Sequence, residues 1–350
     1  MTNNKSTKAG VPDFFGDKLS SLNSWELYKG ELKDLILDTE YGVFGGLSKP
    51  SIRTEKHGIN FASKAEWTVV YFDFEQSGKT HTVRSELILP KNEKTPPVFI
   101  YIDFSAETPS KYLPVEEILD GGFGMFKVFY QDITTDNGDF DNGLCALVDG
   151  GGIKYGKIAV WSYMLRTMAD YLTENEITNT FAVAGHSRLG KTALLTSALD
   201  SRFSLACVNN SGCCGASLSR EKTEGEENVK AIVGTFPFWF KQSFAQYVDN
   251  EDALPFDQHM LLSLTAPRNV VIGCAIEDYW ADNDGAYKSC TLATPVWELY
   301  GKKGLVADGY KAEKCSYTDG NIGYYIRNGS HFFSREDWGV YMRKFREILK

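Results

Sequence analysis

An α/β fold, with a mostly parallel sheet covered by helices on both faces as a three-layer sandwich, is what this 350-residue sequence predicts. Three observations carry that expectation. Two alternating segments, "EWTVVYFDFEQ" (66–76) and "HTVRSELILP" (81–90), read as antiparallel strands joined by the "SGK" turn. A continuous apolar run, "PPVFIYIDF" (96–104), then has the composition of a strand buried on both faces. From there strand-like runs alternate with segments whose apolar residues recur at helical spacing.

Taken in order, "PVEEILDGG" (114–122) reads as a helix, "FGMFKVFY" (123–130) as a strand and "KIAVWSYMLRTMADYL" (157–172) as an amphipathic helix. "NTFAVAG" (179–185) is a strand, "RLGKTALLTSALD" (188–200) a helix and "SLACVNN" (204–210) a strand. A Gly-, Ser- and charge-rich stretch, 211–255, contains "FPFWF" and reads as an insertion over one end of the sheet. Helix "MLLSLTA" (260–266), strand "NVVIGCA" (269–275), helix "VWELYGKKG" (296–304) and strand "IGYYIR" (322–327) follow. The last helix, 335–350, has Ser334 and Asp337 as its cap. Residues 1–12 are polar and expected to be disordered. With no internal repeat and no Pro/Ser-rich linker, 13–350 is expected to form one domain.

Composition narrows the function. A net charge of −9 and a pI near 5.2 argue against a nucleic-acid partner, which needs a basic face. No window approaches the roughly 18 apolar residues of a membrane span. Seven scattered cysteines, some inside apolar runs, suit reduced buried thiols rather than a disulfide framework. The adjacent Cys213 and Cys214 lack metal-ligand spacing, so no metal site is expected. The opening "MTNNKSTKAGVPDFF" has no leader pattern, and the expectation is a cytoplasmic protein, or a secreted one already stripped of its leader. At 13% the aromatic content suits a flat-ligand or carbohydrate site as well as a large core.

One motif supports two chemistries. "GHSRLGKTAL" (185–194) completes a phosphate-binding loop, with Lys191 and Thr192 where a nucleotide would need them. It is also close to a nucleophile elbow, with Ser187 between a strand and a helix. Chain order decides between them. A hydrolase elbow requires Ser first, an acid after a later strand, and a His near the C-terminal end. "VVIGCAIED" ends in Glu277-Asp278, and "IGYYIRNGSH" delivers His331 just before the last helix. Asp278 is preferred as the acid because it lies three residues past the strand's apolar end; Glu277 is the alternative. His186 beside the nucleophile, and His259 at a helix start, are expected to be structural.

The chemistry is set by what each group lacks. A serine hydroxyl is a poor nucleophile at neutral pH, so His331 must take its proton and a carboxylate must orient and stabilise that imidazole. Arg188 offers a backbone N–H and a guanidinium to the oxyanion, and Lys191 could hold an electronegative substituent of the substrate. Both cations oppose the helix dipole, which calls for such a compensating use.

With these residues stand "AVWSYMLRTMADYL", "NNSGCCGASLSR", "FPFWF", "DQHMLLSLTAPR", "EDYWAD" and "GYYIRNGSHFFSREDW". Together they resemble the bacterial branch of the glucuronoyl esterases, the fifteenth carbohydrate esterase family, over roughly residues 65–348. The resemblance implies an α/β-hydrolase fold and cofactor-free cleavage of glucuronate or 4-O-methylglucuronate esters in xylan degradation. It implies oxyanion support from Arg188 and sugar contacts from Lys191, Trp280 and Glu226, with Glu224 the alternative acid. Asn210 stands where some members carry the triad acid, which leaves that role to Asp278, and Cys214 stands where a Gly is usual. The runner-up is an acetyl or other carbohydrate esterase on the same triad. A nucleotide-binding protein using Gly185–Thr192, and a sugar-binding protein with a decayed site, are the remaining alternatives.

Overall fold

The computed structural model describes residues 10–57 and 61–350. The disorder expected for 1–12 falls mostly outside them, and Gly10–Pro12 carry no regular structure. Ten strands form one sheet in the order β1-β2-β3-β5-β4-β6-β7-β8-β10-β9. They are β1 (Ser51–Lys56), β2 (Ala65–Gln76), β3 (Lys79–Pro90), β4 (Val98–Asp103), β5 (Gly124–Phe129), β6 (Phe181–His186), β7 (Phe203–Asn209), β8 (Asn269–Ala275), β9 (Cys315–Tyr317) and β10 (Ile322–Arg327). The expected hairpin is β2–β3, closed by Ser77 and Gly78 with φ of 52° and 77°. Positive φ at both positions matches a type I′ turn, whose twist suits a two-residue hairpin. From β4 to β8 and β10 the pairing is parallel.

Alternation along each strand builds two cores. In β4, Ile100 and Ile102 face the larger cluster, and Phe99 and Tyr101 the other. The larger core is covered by α1 (Leu22–Ile36), α4 (Lys157–Glu174), α5 (Arg188–Leu199), α7 (Gln258–Ser263) and α8 (Asn283–Leu299). The opposite core is closed by α2 (Val115–Asp120) and α9 (Arg335–Ile348), through Ile118, Trp338, Tyr341 and Phe345. Two short helices, α3 (Tyr130–Ile133) and α6 (Val229–Thr235), complete the set among the described residues. Ser334 and Asp337 form the expected capping box on α9.

Of the elements that differ from expectation, three have a clear physical reason. Helix α1 was not apparent because it buries only Trp25, Leu32 and Ile36 and leaves Leu27 exposed. Strand β1 is exposed at all six residues, so it has no apolar alternation to reveal it. Helix α8 starts at Asn283, far ahead of the expected 296, because the Asp282 side chain accepts from Gly285 N and Pro295 is accommodated inside the helix. The 211–255 stretch holds α6 and three 3₁₀ turns, Pro237–Trp239, Gln242–Tyr247 and Glu251–Ala253.

His259 plays the packing role expected of it, edge-on to Phe15 with centroids 5.3 Å apart. Burial, against partial support from Asp257, lowers its pKa from the usual 6.5 to about 4. Between those values the unfolded chain holds a proton that the folded chain refuses, so stability falls as pH drops through that window. His259→Phe is expected to flatten this fall by about 2 kcal/mol near pH 5, relative to its own value at neutral pH. Urea unfolding of both proteins at the two pH values measures it, and parallel pH profiles would refute it.

Candidate active site

The carboxyl ends of β4, β6, β7, β8 and β10 converge on one region, where an open parallel sheet binds its ligands. Strand β6 ends at His186, and Ser187 turns the chain into α5 with φ 57° and ψ −128°. That is a strained conformation for a residue with a Cβ, costing about 1–3 kcal/mol, and it lifts the hydroxyl above the sheet. The turn needs glycine beneath it. A Cβ at Gly185 would lie 2.0 Å from Leu189 O, and one at Gly190 would lie 2.9 Å from Asn209 O.

Asp278 follows β8 and His331 follows β10, and His331 Nδ1 donates to Asp278 Oδ2 at 2.6 Å. Asn210, just past the end of β7, donates to the same oxygen at 2.5 Å. Burial pushes the Asp278 carboxyl up, but the bonds from His331 and Asn210 outweigh it and hold the group below the usual carboxylate range. Asp278 is therefore ionised at neutral pH. Glu277 is exposed, and its backbone N–H donates to Gly329 O at 3.0 Å.

The His331 loop is pinned from below. Arg327 donates to Asn328 O at 2.9 Å, to Ser330 O at 3.1 Å and to Phe332 O, while its Nε meets Asp337 Oδ2 at 2.7 Å. Asp337 thus caps α9 and anchors the arginine that shapes the loop. His186 is buried, bonds Asn209 Oδ1 through Nδ1 at 2.7 Å, and sits 4.5 Å from His331 between ring centroids. Burial, with the neighbouring His331, pushes its pKa down to about 3, so it meets His331 as a neutral ring.

Two clefts meet at Ser187, Arg188 and His331. The wider, about 650 Å³, runs along the Phe104–Tyr112 loop. The narrower, about 270 Å³, adds Lys191, Gly212, Glu227, Trp239, Asp278 and Trp280. Arg188 is held at their junction. Its Nη1 bonds Asp136 Oδ2, its guanidinium lies 4.6 Å over the Trp239 ring, and Trp239 Nε1 fixes the other Asp136 oxygen at 2.7 Å. Its Nε–H is buried and has no hydrogen-bond partner.

Lys191 lines the narrower cleft but is 3% exposed, and its ammonium is already engaged by Ser211 O, Cys213 O at 2.6 Å and Glu227 Oε2 at 3.1 Å. Those bonds weigh against the phosphate loop, since the lysine that would grip a phosphate is held by protein oxygens. Trp280 is 50% exposed and its Nε1 donates to Glu227 Oε1 at 3.3 Å.

Sequence comparison then decides the family. The family described as "Glucuronyl esterase, fungi" matches residues 72–301, more than half of the chain. The chain belongs to the glucuronyl esterase family. Among its relatives, "Carbohydrate esterase MZ0003" from an unknown prokaryotic organism is 40% identical over 238 residues, 65% of this chain. The chain spans about half of that relative, 54% of its length. The 4-O-methyl-glucuronoyl methylesterase of Schizophyllum commune is 27% identical over 312 residues, 84% of this chain and 75% of the other. A solved glucuronoyl esterase from Solibacter usitatus superposes with a TM-score of 0.88 at 27% identity, covering 99% of both chains. A promiscuous CE15 esterase from the marine bacterial metagenome superposes at 0.86 with 28% identity, over 98% of both. The fold is that of the α/β-hydrolases, as these neighbours and the sheet order agree.

Within this glucuronyl esterase family member one expected residue is displaced. Glu226 does not line the cleft of Ser187; its Oε2 accepts from Thr223 N at 2.5 Å, and it lines an adjoining cleft with Glu224. Glu227 lines the cleft of Ser187 instead, held by Lys191, Cys213 N at 3.0 Å and Trp280. The reason is register: Asn228 caps α6 by accepting from Ala231 N, and the residue just before that cap is the one turned toward Trp280, whose O accepts from Glu227 N at 2.8 Å. Counting back from an Asn N-cap would have found it. Asp136 carried no signal, because its loop has neither periodicity nor motif.

Among the described residues no helix is long and apolar enough to cross a membrane. All seven cysteines are free, six of them buried.

Proposed function

We propose that this chain hydrolyses esters of the 6-carboxyl of glucuronate or 4-O-methylglucuronate through an acyl-enzyme on Ser187. The observation that carries the proposal is the His331–Asp278 bond of 2.6 Å beside a strained Ser187, at the mouth of a cleft walled by Glu227 and Trp280. His331 takes the Ser187 proton as Oγ attacks the ester carbonyl, and Asp278 stabilises the imidazolium that forms. The backbone N–H of Arg188 comes directly after the nucleophile, the position that supplies an oxyanion donor in this fold. The guanidinium, with its unpartnered Nε–H, adds a cation held by Asp136 and Trp239. Collapse of the intermediate expels the alcohol with the proton from His331. Water, deprotonated by the same ring, then releases the uronate and restores Ser187.

Glu227 and Trp280 are assigned to the sugar, the carboxylate accepting from ring hydroxyls and the indole lying along the ring. Lys191 acts on the sugar through Glu227, because its own donors are engaged. The named relatives support the ester class: the Schizophyllum commune protein is a 4-O-methyl-glucuronoyl methylesterase and the Solibacter usitatus protein a glucuronoyl esterase. The test is acid release from methyl glucuronate beside acetate release from acetylated xylo-oligosaccharides. Preferential hydrolysis of the uronate ester is expected, and turnover of the acetyl ester alone would overturn the proposal.

A further inference from the structure

Resting on the proposed function, we infer that Lys127 and Asp103, a buried pair beneath the wider cleft, are positioning residues that fix the wall met by the alcohol half of the ester. With the uronate assigned to the narrower cleft, the alcohol is left the wider one, since the two meet at Ser187 and His331. One wall of that wider cleft is the loop from Phe104 to Tyr112. Apart from a bridge between Ser110 and Leu113 the loop has no regular backbone pairing, so side chains must supply its hydrogen bonds.

The buried pair supplies them. Lys127 on β5 and Asp103 at the end of β4 are 2% and 0% exposed, and Lys127 Nζ lies 3.7 Å from Asp103 Oδ2. The lysine donates to Glu107 O and, at 2.6 Å, to Thr108 Oγ1. The carboxylate accepts from Ser105 N at 3.2 Å and Ser110 Oγ at 2.9 Å, and Tyr101 OH steadies it at 3.3 Å. Two side chains from the sheet thus grip residues 105–110.

The ends of the loop are held separately. Phe104 follows β4 directly, and Trp338 Nε1 donates to Tyr112 O at 2.7 Å. Those ends are the parts that meet the proposed catalytic groups. The Arg188 guanidinium lies 5.6 Å over the Phe104 ring, and the Tyr112 ring is 4.9 Å from that of Phe332, which follows His331.

Stability alone does not call for these charges. A buried ion pair loses in desolvation much of what it gains in attraction, and apolar side chains of the same volume are often as stable. What apolar side chains cannot supply is a set of directed bonds to one irregular segment. The division between the middle of the loop and its ends makes the effect selective. Loosening 105–110 alters the wall met by the alcohol and leaves the reacting groups where they are.

The experiment measures kcat and KM on methyl and benzyl glucuronate for the wild type, Thr108→Val and the double variant Asp103→Asn with Lys127→Met. Thr108→Val removes one acceptor on the loop, keeps the buried pair, and changes a side chain that does not line the cleft. The double variant removes both charges, so neither is left buried alone, and Glu86 keeps Arg84 at 2.6 Å as its own counter-charge. The expected loss in kcat/KM on the benzyl ester is about threefold for Thr108→Val and about tenfold for the double variant, carried by KM, with the methyl ester within about twofold of wild type in both. Equal losses on the two esters would reduce the pair to a structural role and overturn the inference. An unchanged benzyl-to-methyl ratio in Thr108→Val would also overturn it, whether or not the double variant folds. Hydrolysis of neither ester by the wild type would overturn the esterase reading instead.

Discussion

Ser187→Ala is expected to lower kcat on a glucuronate ester by about 10⁶-fold, the loss typical when a triad nucleophile is deleted. The fold should survive. The backbone bonds of the turn, Ser187 N to Asn209 O at 2.9 Å and Gly190 N to Ser187 O at 2.8 Å, do not involve the hydroxyl. Alanine meets the same strain at φ 57° as serine does. Substrate affinity should also survive, because Glu227, Trp280 and Arg188 are untouched. The variant should therefore melt near the wild-type temperature and still bind the ester. Activity within tenfold of wild type would mean that another group attacks the ester.

The second large effect separates charge from geometry at Asp278. Asp278→Ala is expected to cost about 10⁴-fold in kcat, since His331 loses both its orienting partner and the charge that stabilises its protonated form. Asp278→Asn should cost less, about 10²–10³-fold. In a triad whose acid meets only the histidine, an asparagine can turn its NH₂ toward the ring and impose the wrong tautomer. Here Asn210 Nδ2 donates to the same oxygen as His331 Nδ1. Two donors converging on one position favour the amide oxygen there, so the tautomer is kept and only the charge is lost. Pairing Asp278→Asn with Asn210→Ala should remove that protection and bring the loss back toward the alanine value. Equal losses in Asp278→Asn with and without Asn210 would refute this role for Asn210. Glu277→Gln, on an exposed side chain, should change the rate little.

The groups proposed to be catalytic were legible because a hydrolase places such groups at strand ends in a fixed order. Ser187 after β6, Asp278 after β8 and His331 after β10 could each be found by locating an apolar run and inspecting the residues just beyond its end. The preference for Asp278 over Glu277 agrees with the side chain that meets His331. Groups that act across long sequence separations could not be found that way. Asp136 meets Arg188 from 52 residues away, and only folding brings Trp239 to both. Glu226 falls outside the cleft of Ser187, one residue short of Glu227, because a loop has no period to fix its register and only the Asn228 cap sets it. Lys191 looked like a ligand because a lysine at a helix start is out of place against the dipole. Its actual compensation is internal, two backbone carbonyls and Glu227. The fold was read best where burial was strongest and worst at α1 and β1, which bury little or nothing.

The central claim is that Ser187 is activated by the His331–Asp278 pair. Its most direct measurement is labelling with a serine-reactive fluorophosphonate, read by intact mass and peptide mapping, in the wild type and in His331→Ala. One phosphonyl group per chain on Ser187, formed far more slowly in His331→Ala and blocked by methyl glucuronate, is the predicted result. A folded wild type that stays unlabelled, or that labels equally fast without His331, would contradict it.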